Sequence, residues 1–239
     1  MSGIRAKAGA GTKAARRKAL LRRPRADAKA QGRAGRAYEV LRETYADAHC
    51  ALHHKNAWEL LVATILSAQC TDARVNLVTP ALFAAFPTPE AMAAAPAETL
   101  EEYVRSTGFF RNKAKNLKGA AERVARDFGG QVPSSMEDLM SLPGVARKTA
   151  NVVRGTAYGL ADGVVVDTHV ARLSGRLGWS NGKNPGQIER DLMELFPKET
   201  WIDLAHVLIL HGRQVCAARK PRCVECPVNR LCPSSTVLG

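Results

Sequence analysis

The stretch CAARKPRCVECPVNRLC, from Cys216 to Cys232, limits what the C-terminal end can fold into more than any other part of the chain. Cys216, Cys223, Cys226 and Cys232 are separated by six, two and five residues. Four thiolates on one short loop can surround a soft metal centre, either a zinc ion or an iron–sulfur cluster. Cysteines buried only for packing do not recur at ligand spacing. No 7–15-residue apolar block follows the basic start, so no export signal is expected and disulfides are disfavoured. The spacing alone leaves zinc and cluster open. With four protein ligands, either centre is structural. Arg219, Lys220 and Arg222 fall inside the six-residue span. Once ordered by metal, that loop becomes a basic knuckle suited to phosphates; the alternative is a solvated loop.

Helical periodicity dominates from residue 37 onward, which predicts an all-α fold. NAWELLVATILSA is apolar nearly all round, as a central buried helix should be, yet too short to cross a membrane. Asp72 is expected to cap the next helix, with Pro80 as a kink or break. RNKAKNLKGAAERVARDFGG reads as a long amphipathic helix closed by Gly129 and Gly130. GVVVDTHVARL reads as a short extended approach into a helix.

Charge is unevenly spread. Residues 1–36 hold 12 of the 35 Lys and Arg and a single acid, Asp27. With four apolar residues larger than alanine, this segment is expected to be a disordered basic tail. Its charge suits a polyanion through counterion release; a merely solubilising tail is the simpler reading.

Two further stretches carry chemistry. In SLPGVARKTANVV, Pro143 and Gly144 make a tight turn and a helix begins near Ala146, a helix–hairpin–helix pattern. Backbone N–H groups at such a helix start grip phosphate without reading sequence. Lys148 then falls in the first turn, where the helix dipole and Arg147 disfavour its ammonium form. A neutral amine there is a nucleophile able to form a Schiff base; an exposed phosphate-binding lysine is the alternative. Asp167, at the end of the apolar run VVV, can stabilise developing positive charge or activate that amine, or simply cap a helix.

Taken together, LSAQCTD, GFFRNKAKNL, LPGVARKTANVV, VVVDTHVARL, LILHGRQVCAARKPRC and the cysteine spacing resemble the endonuclease III family of DNA glycosylase/AP lyases over roughly residues 37–235. The resemblance implies a 4Fe-4S cluster on the four cysteines and damaged double-stranded DNA as partner. The implied substrate carries an oxidised pyrimidine or an abasic site. Lys148 would be the nucleophile and Asp167 its partner carboxylate. Gln69 would fill the vacated base stack, and Phe109 would be the wedge, where the family commonly has an aliphatic residue. Gly144, Ala146 and Arg147 would lie along the phosphate backbone. Ala146 departs from the family's usual glycine, and its Cβ would obstruct phosphate if its φ were positive. The implied layout is a six-helix domain over residues 50–160 and a cluster domain of 37–49 and 161–239, with Lys148 and Asp167 meeting at a cleft. No membrane segment is expected, and the protein is read as a cytoplasmic, nucleoid-associated monomer. An adenine-type monofunctional glycosylase, which lacks the lysine, and a non-catalytic DNA-binding iron–sulfur protein are the alternatives.

Overall fold

The computed structural model describes residues 32–237, and all regular structure among them is helical. They form two compact units. One is Cys50–Val166; the other combines the chain's two ends, up to His49 and from Asp167 onward. None of the described helices is long and apolar enough to cross a membrane.

The Cys50–Val166 unit is built on α2 (Ala57–Leu66), in which every residue from Trp58 to Leu66 is buried. Around it stand α3 (Asp72–Ala85), α4 (Pro89–Ala94), α5 (Ala97–Val104), α6 (Phe110–Asp127), α7 (Met136–Ser141) and α8 (Arg147–Tyr158). α2 packs directly on α3, α6 and α8. Its N-terminus is closed by Asn56, whose side chain accepts from Glu59 N at 2.9 Å, while the Glu59 carboxylate accepts from Lys55 N at 2.6 Å. α6 buries Ala114, Leu117, Ala121 and Val124 at helical spacing, and Gly129 and Gly130, both at positive φ, close it as expected.

In the other unit, α1 (Arg33–Thr44) and α9 (Thr168–Arg176) pack on α11 (Trp201–Gln214), and α10 (Pro185–Leu195) packs on α9. Its core centres on Phe196, with Tyr38 and Trp179 set edge-on at 5.7 and 4.9 Å. The Tyr38 hydroxyl is buried and donates to Asp203 Oδ2 at 2.9 Å. Two 3-10 turns, Cys223–Glu225 and Asn229–Leu231, shape the cysteine segment.

Several expectations are corrected. Thr71, not Asp72, caps α3, accepting from Arg74 N; Asp72 instead takes the first helical position, where its charge suits the dipole. α3 runs unbroken through Pro80. The ring is exposed, and the flanking residues Thr79 and Leu82 are held in the core, which outweighs the roughly 3 kcal/mol cost of an internal proline. The Cys50–Val166 unit holds seven α-helices, and Pro96 holds Ala95 extended between α4 and α5. The unit runs on past α8 to Val166, and in that last stretch Asp162 pairs with Arg154 of α8 at 2.6 Å. Helix α1 starts at Arg33, inside the segment expected to be a disordered tail; residues 1–31 of that tail lie outside the described residues.

Leu117 is fully buried in the core of the Cys50–Val166 unit. Leu117→Ala is expected to cost about 2–5 kcal/mol, read from urea unfolding.

Candidate active site and metal centre

The helix–hairpin–helix forms as the sequence predicts. α7 leads into Leu142–Val145, a turn closed by Val145 N donating to Leu142 O at 3.1 Å, and α8 follows. Pro143 and Gly144 occupy the central positions, and Gly144 has φ 78°, the geometry of a type II turn. A Cβ at Gly144 would sit 2.9 Å from Asn116 Cβ of α6, so glycine is required by space as well as by conformation. Pro143 packs against Gly119, where an added Cβ would stand 3.0 Å from the ring. Asn116 and Gly119 were not among the residues flagged from sequence, because only the fold brings α6 under the turn.

Ala146 is the N-cap of α8, with φ −89° and ψ 170°. Its backbone is extended, so its Cβ carries no conformational penalty. It offers no side-chain cap, whereas α2, α3, α4, α7, α9 and α10 all start with one. The first turn of α8 contains no acid and holds Arg147 and Lys148, both exposed. Each such cation costs about 0.3–1 kcal/mol against the dipole. The uncapped amides at this helix start can take a bound anion.

Gln69 and Phe109 belong to the same unit. Gln69 lies exposed just beyond α2 with φ 53°, and Phe109 is the N-cap of α6 with φ 49° and 64% of its surface exposed. Phe109 is therefore no core aromatic. Phe110 is the partly buried one, packed on the core with the Arg105 and Arg111 guanidinium groups 5.6 and 5.0 Å from its ring centre. Among the described residues, only Gln69, Phe109 and Lys220 adopt positive φ without being glycine. All three were singled out from sequence for contact with DNA. Holding a non-glycine residue there costs about 1–3 kcal/mol and needs support from its surroundings.

Asp167 opens the other unit as the N-cap of α9. Its Oδ1 accepts from His169 N and Val170 N at 2.9 and 2.8 Å. Oδ2 has no donor among the described residues, so the carboxylate keeps one face for another task while it caps. His169, half-buried, turns its Nδ1 to Arg172 Nη2 at 3.1 Å.

The four cysteines line one cavity in this unit, walled by Leu173, Leu177, Val215 and Val228. α9 braces it. Arg172 donates to the carbonyls of Gly212 and Cys216, and Arg176 donates to Cys216 Sγ at 3.2 Å and to the carbonyls of Ala217 and Ala218. His211 is buried; its Nδ1 meets the Tyr45 hydroxyl at 2.8 Å and its Nε2 lies 3.5 Å from Cys226 Sγ. Burial pushes the imidazole down to about 4, so the ring is neutral. Neither arginine was flagged from sequence. Their spacing of four on α9 was the available signal, but their partners lie some 40 residues further along the chain.

Among the described residues, no group of side chains converges to hold a single metal ion. Four thiols around one aliphatic-walled cavity are a soft donor set that fits a metal–sulfur centre or a zinc ion. In the intervening loop Arg219 and Lys220 are exposed. Arg222 is committed elsewhere, pairing with Glu225 at 2.9 Å and donating to Gln214 O at 2.6 Å.

The stretch that carries the hairpin is matched by a protein-family model. The model of the HhH-GPD superfamily of base excision DNA repair proteins covers residues 62–198. Endonuclease III of Synechocystis sp. is 55% identical over 69% of this chain and 75% of its own, and that of Bacillus subtilis is 47% identical over 68% and 74%. A solved structure of a trapped endonuclease III–DNA covalent intermediate, an estranged-adenine complex, is 43% identical with a TM-score of 0.79. That match covers 85% of this chain and 95% of the solved one. The chain belongs to the HhH-GPD superfamily and, within it, to the endonuclease III family.

Ala146→Ser is expected to cap α8, stabilising the fold by about 0.5–1 kcal/mol while weakening DNA binding several-fold, because the hydroxyl takes an amide that phosphate would use. Ala146→Gly should leave affinity equal or better. Melting curves alongside fluorescence-anisotropy titrations check both.

Proposed function

We propose that Lys148 is the nucleophile of this protein and Asp167 its partner carboxylate. The chain is a bifunctional DNA glycosylase/AP lyase of base excision repair, acting on oxidised pyrimidines in duplex DNA. The observation that carries the residue assignment is the start of α8: no side-chain cap, no acid, and a lysine in its first turn. A phosphate at the hairpin satisfies those amides and brings the sugar of the damaged nucleotide towards Lys148.

The damaged nucleotide is turned out of the stack, which costs least where damage has weakened stacking. The Lys148 amine attacks the sugar C1′, the C1′–base bond breaks, and the base leaves with the electron pair and takes up a proton. The C1′–O4′ bond then opens, O4′ taking up a proton as the nitrogen forms its double bond to C1′, which gives the Schiff base. Loss of a C2′ proton then expels the 3′ phosphate, cutting the strand by β-elimination. Asp167, with Oδ2 uncommitted, stabilises positive charge on the sugar or receives the amine proton. Gln69 occupies the vacated stack, and Phe109 enters the opposite strand's stack as an apolar wedge. Arg147, Arg219 and Lys220 lie along phosphates; Arg222 shapes its loop and acts less directly. The basic residues of 1–36 add affinity through counterion release.

Cys216, Cys223, Cys226 and Cys232 would hold a 4Fe-4S cluster, one per chain. Its contribution is structural, fixing the loop that carries Arg219 and Lys220. The purified protein is expected to be brown, with blue-end visible absorption and about four irons per chain by metal analysis. A colourless, anaerobically prepared protein carrying one zinc would refute the cluster.

Incubation of the wild type with abasic-site duplex and borohydride should give a covalent adduct that Lys148→Gln abolishes. An adduct that survives the substitution removes Lys148 from the mechanism. Asp167→Asn should slow trapping roughly 10²–10³-fold with little change in melting temperature, since asparagine caps α9 as well as aspartate does. Equal loss of rate and stability would reduce Asp167 to a cap.

A further inference from the structure

Lys113 is a lysine where the fold has no need of charge. It lies on the buried face of α6, between Phe110 and Leu117 at helical spacing, and is only 4% exposed. Its ammonium donates to two backbone carbonyls, Leu66 O at 2.8 Å and Thr107 O at 2.7 Å. No carboxylate pairs with it among the described residues. Burial pushes its pKa below the usual lysine value, so the site holds the charge at a cost.

The two carbonyls are informative. Leu66 is the last residue of α2, three positions before Gln69; Thr107 stands two positions before Phe109. Both turns carry a residue at positive φ, and Gly108 between Thr107 and Phe109 is left-handed too, at 71°. Thr107 is itself buried and fixed by its hydroxyl on Val104 O at 2.7 Å. Lys113 N also donates to Phe109 O at 3.1 Å. One residue therefore holds both turns, by its backbone and by its side chain.

We infer that Lys113 is a positioning residue for base extrusion: it locks the Gln69 turn to the Phe109 turn, so that the two side chains enter the duplex as one rigid pair. The inference rests on the assignment of Gln69 and Phe109 to the base stack. Charge-assisted bonds to carbonyls are about twice as strong as neutral ones, which suits two strained turns that must not drift apart. A hydrophobic residue at 113 would pack in the same space and leave both carbonyls unpaired.

The test compares substrates that do and do not require extrusion. An abasic site in single-stranded DNA presents its sugar without any stack to open; the same site in a duplex does not. Single-turnover strand cleavage is measured on both, for the wild type, Lys113→Met, Phe109→Ala and the double variant, with melting temperature alongside. Lys113→Met is expected to lose about tenfold or more on the duplex and less than about threefold on the single strand. The double variant should be little slower on the duplex than Phe109→Ala, since both act through one device. Lys113→Gln, which keeps an uncharged amide donor group, should fall between and serves if the methionine variant does not fold. Parallel loss on both substrates would make Lys113 a purely structural residue. Full duplex activity in Lys113→Met, or strict additivity with Phe109→Ala, would overturn the inference while leaving the wedge intact. If Phe109→Ala and Gln69→Ala both cleave duplex normally, the stack assignment fails and this inference with it.

Discussion

A helix enclosed by protein on every side must find partners for its end groups inside the protein, and α2 imposes that demand on the Cys50–Val166 unit. Nine successive residues, Trp58 to Leu66, are buried. At one end Asn56 and Glu59 bind the free amides; at the other the Leu66 carbonyl takes the Lys113 ammonium. α6 meets this need from Lys113 and, one turn further on, supplies Asn116 and Gly119 as the seat of the hairpin. The two exposed turns and the start of α8 are thus set by a single pair of packed helices. Geometry at these exposed turns is inherited from the core.

The other unit follows a comparable logic with different chemistry. α9 begins at Asp167, which binds the helix amides through one oxygen, and its later turns send Arg172 and Arg176 onto the first cysteine segment. Two arginines among carbonyls and a sulfur are costly to desolvate unless every donor is used, and here they are directed onto backbone oxygens of one loop. The neutral His211, held between Tyr45 and Cys226, completes the packing of that wall. Six helices begin with a side-chain cap, and the hairpin helix α8 does not. α1, α5, α6 and α11 lack one too; at α8 the absence coincides with the Pro143–Gly144 turn and with a lysine two residues past the cap.

Much of this was legible in the chain. The Leu-Pro-Gly turn between two helices and the carboxylate that opens α9 each announce their place through residue type and separation, as does the cysteine segment that lines one cavity. What stayed hidden depended on tertiary partners. Thr71 and Asp72 can both cap, and only the course of the backbone chooses between them. Pro80 reads as a break until Thr79 and Leu82 are seen to hold its helix together. Lys113 was not singled out, because its partner lies 47 residues away along the chain. The positive φ of Gln69 and Phe109 has no signature at all, since neither residue type favours it.

Under the proposed placement of Gln69 and Phe109 in the base stack, those left-handed positions separate what makes this protein robust from what makes it useful. By backbone energetics alone, 69 and 109 are glycine sites, and glycine there would relieve about 1–2 kcal/mol at each. Selection for heat resistance or yield alone would therefore drift towards glycine and quietly discard the amide and the ring. Engineers seeking a hardier variant would do well to hold both positions fixed and look for improvement on the outer faces of the helices.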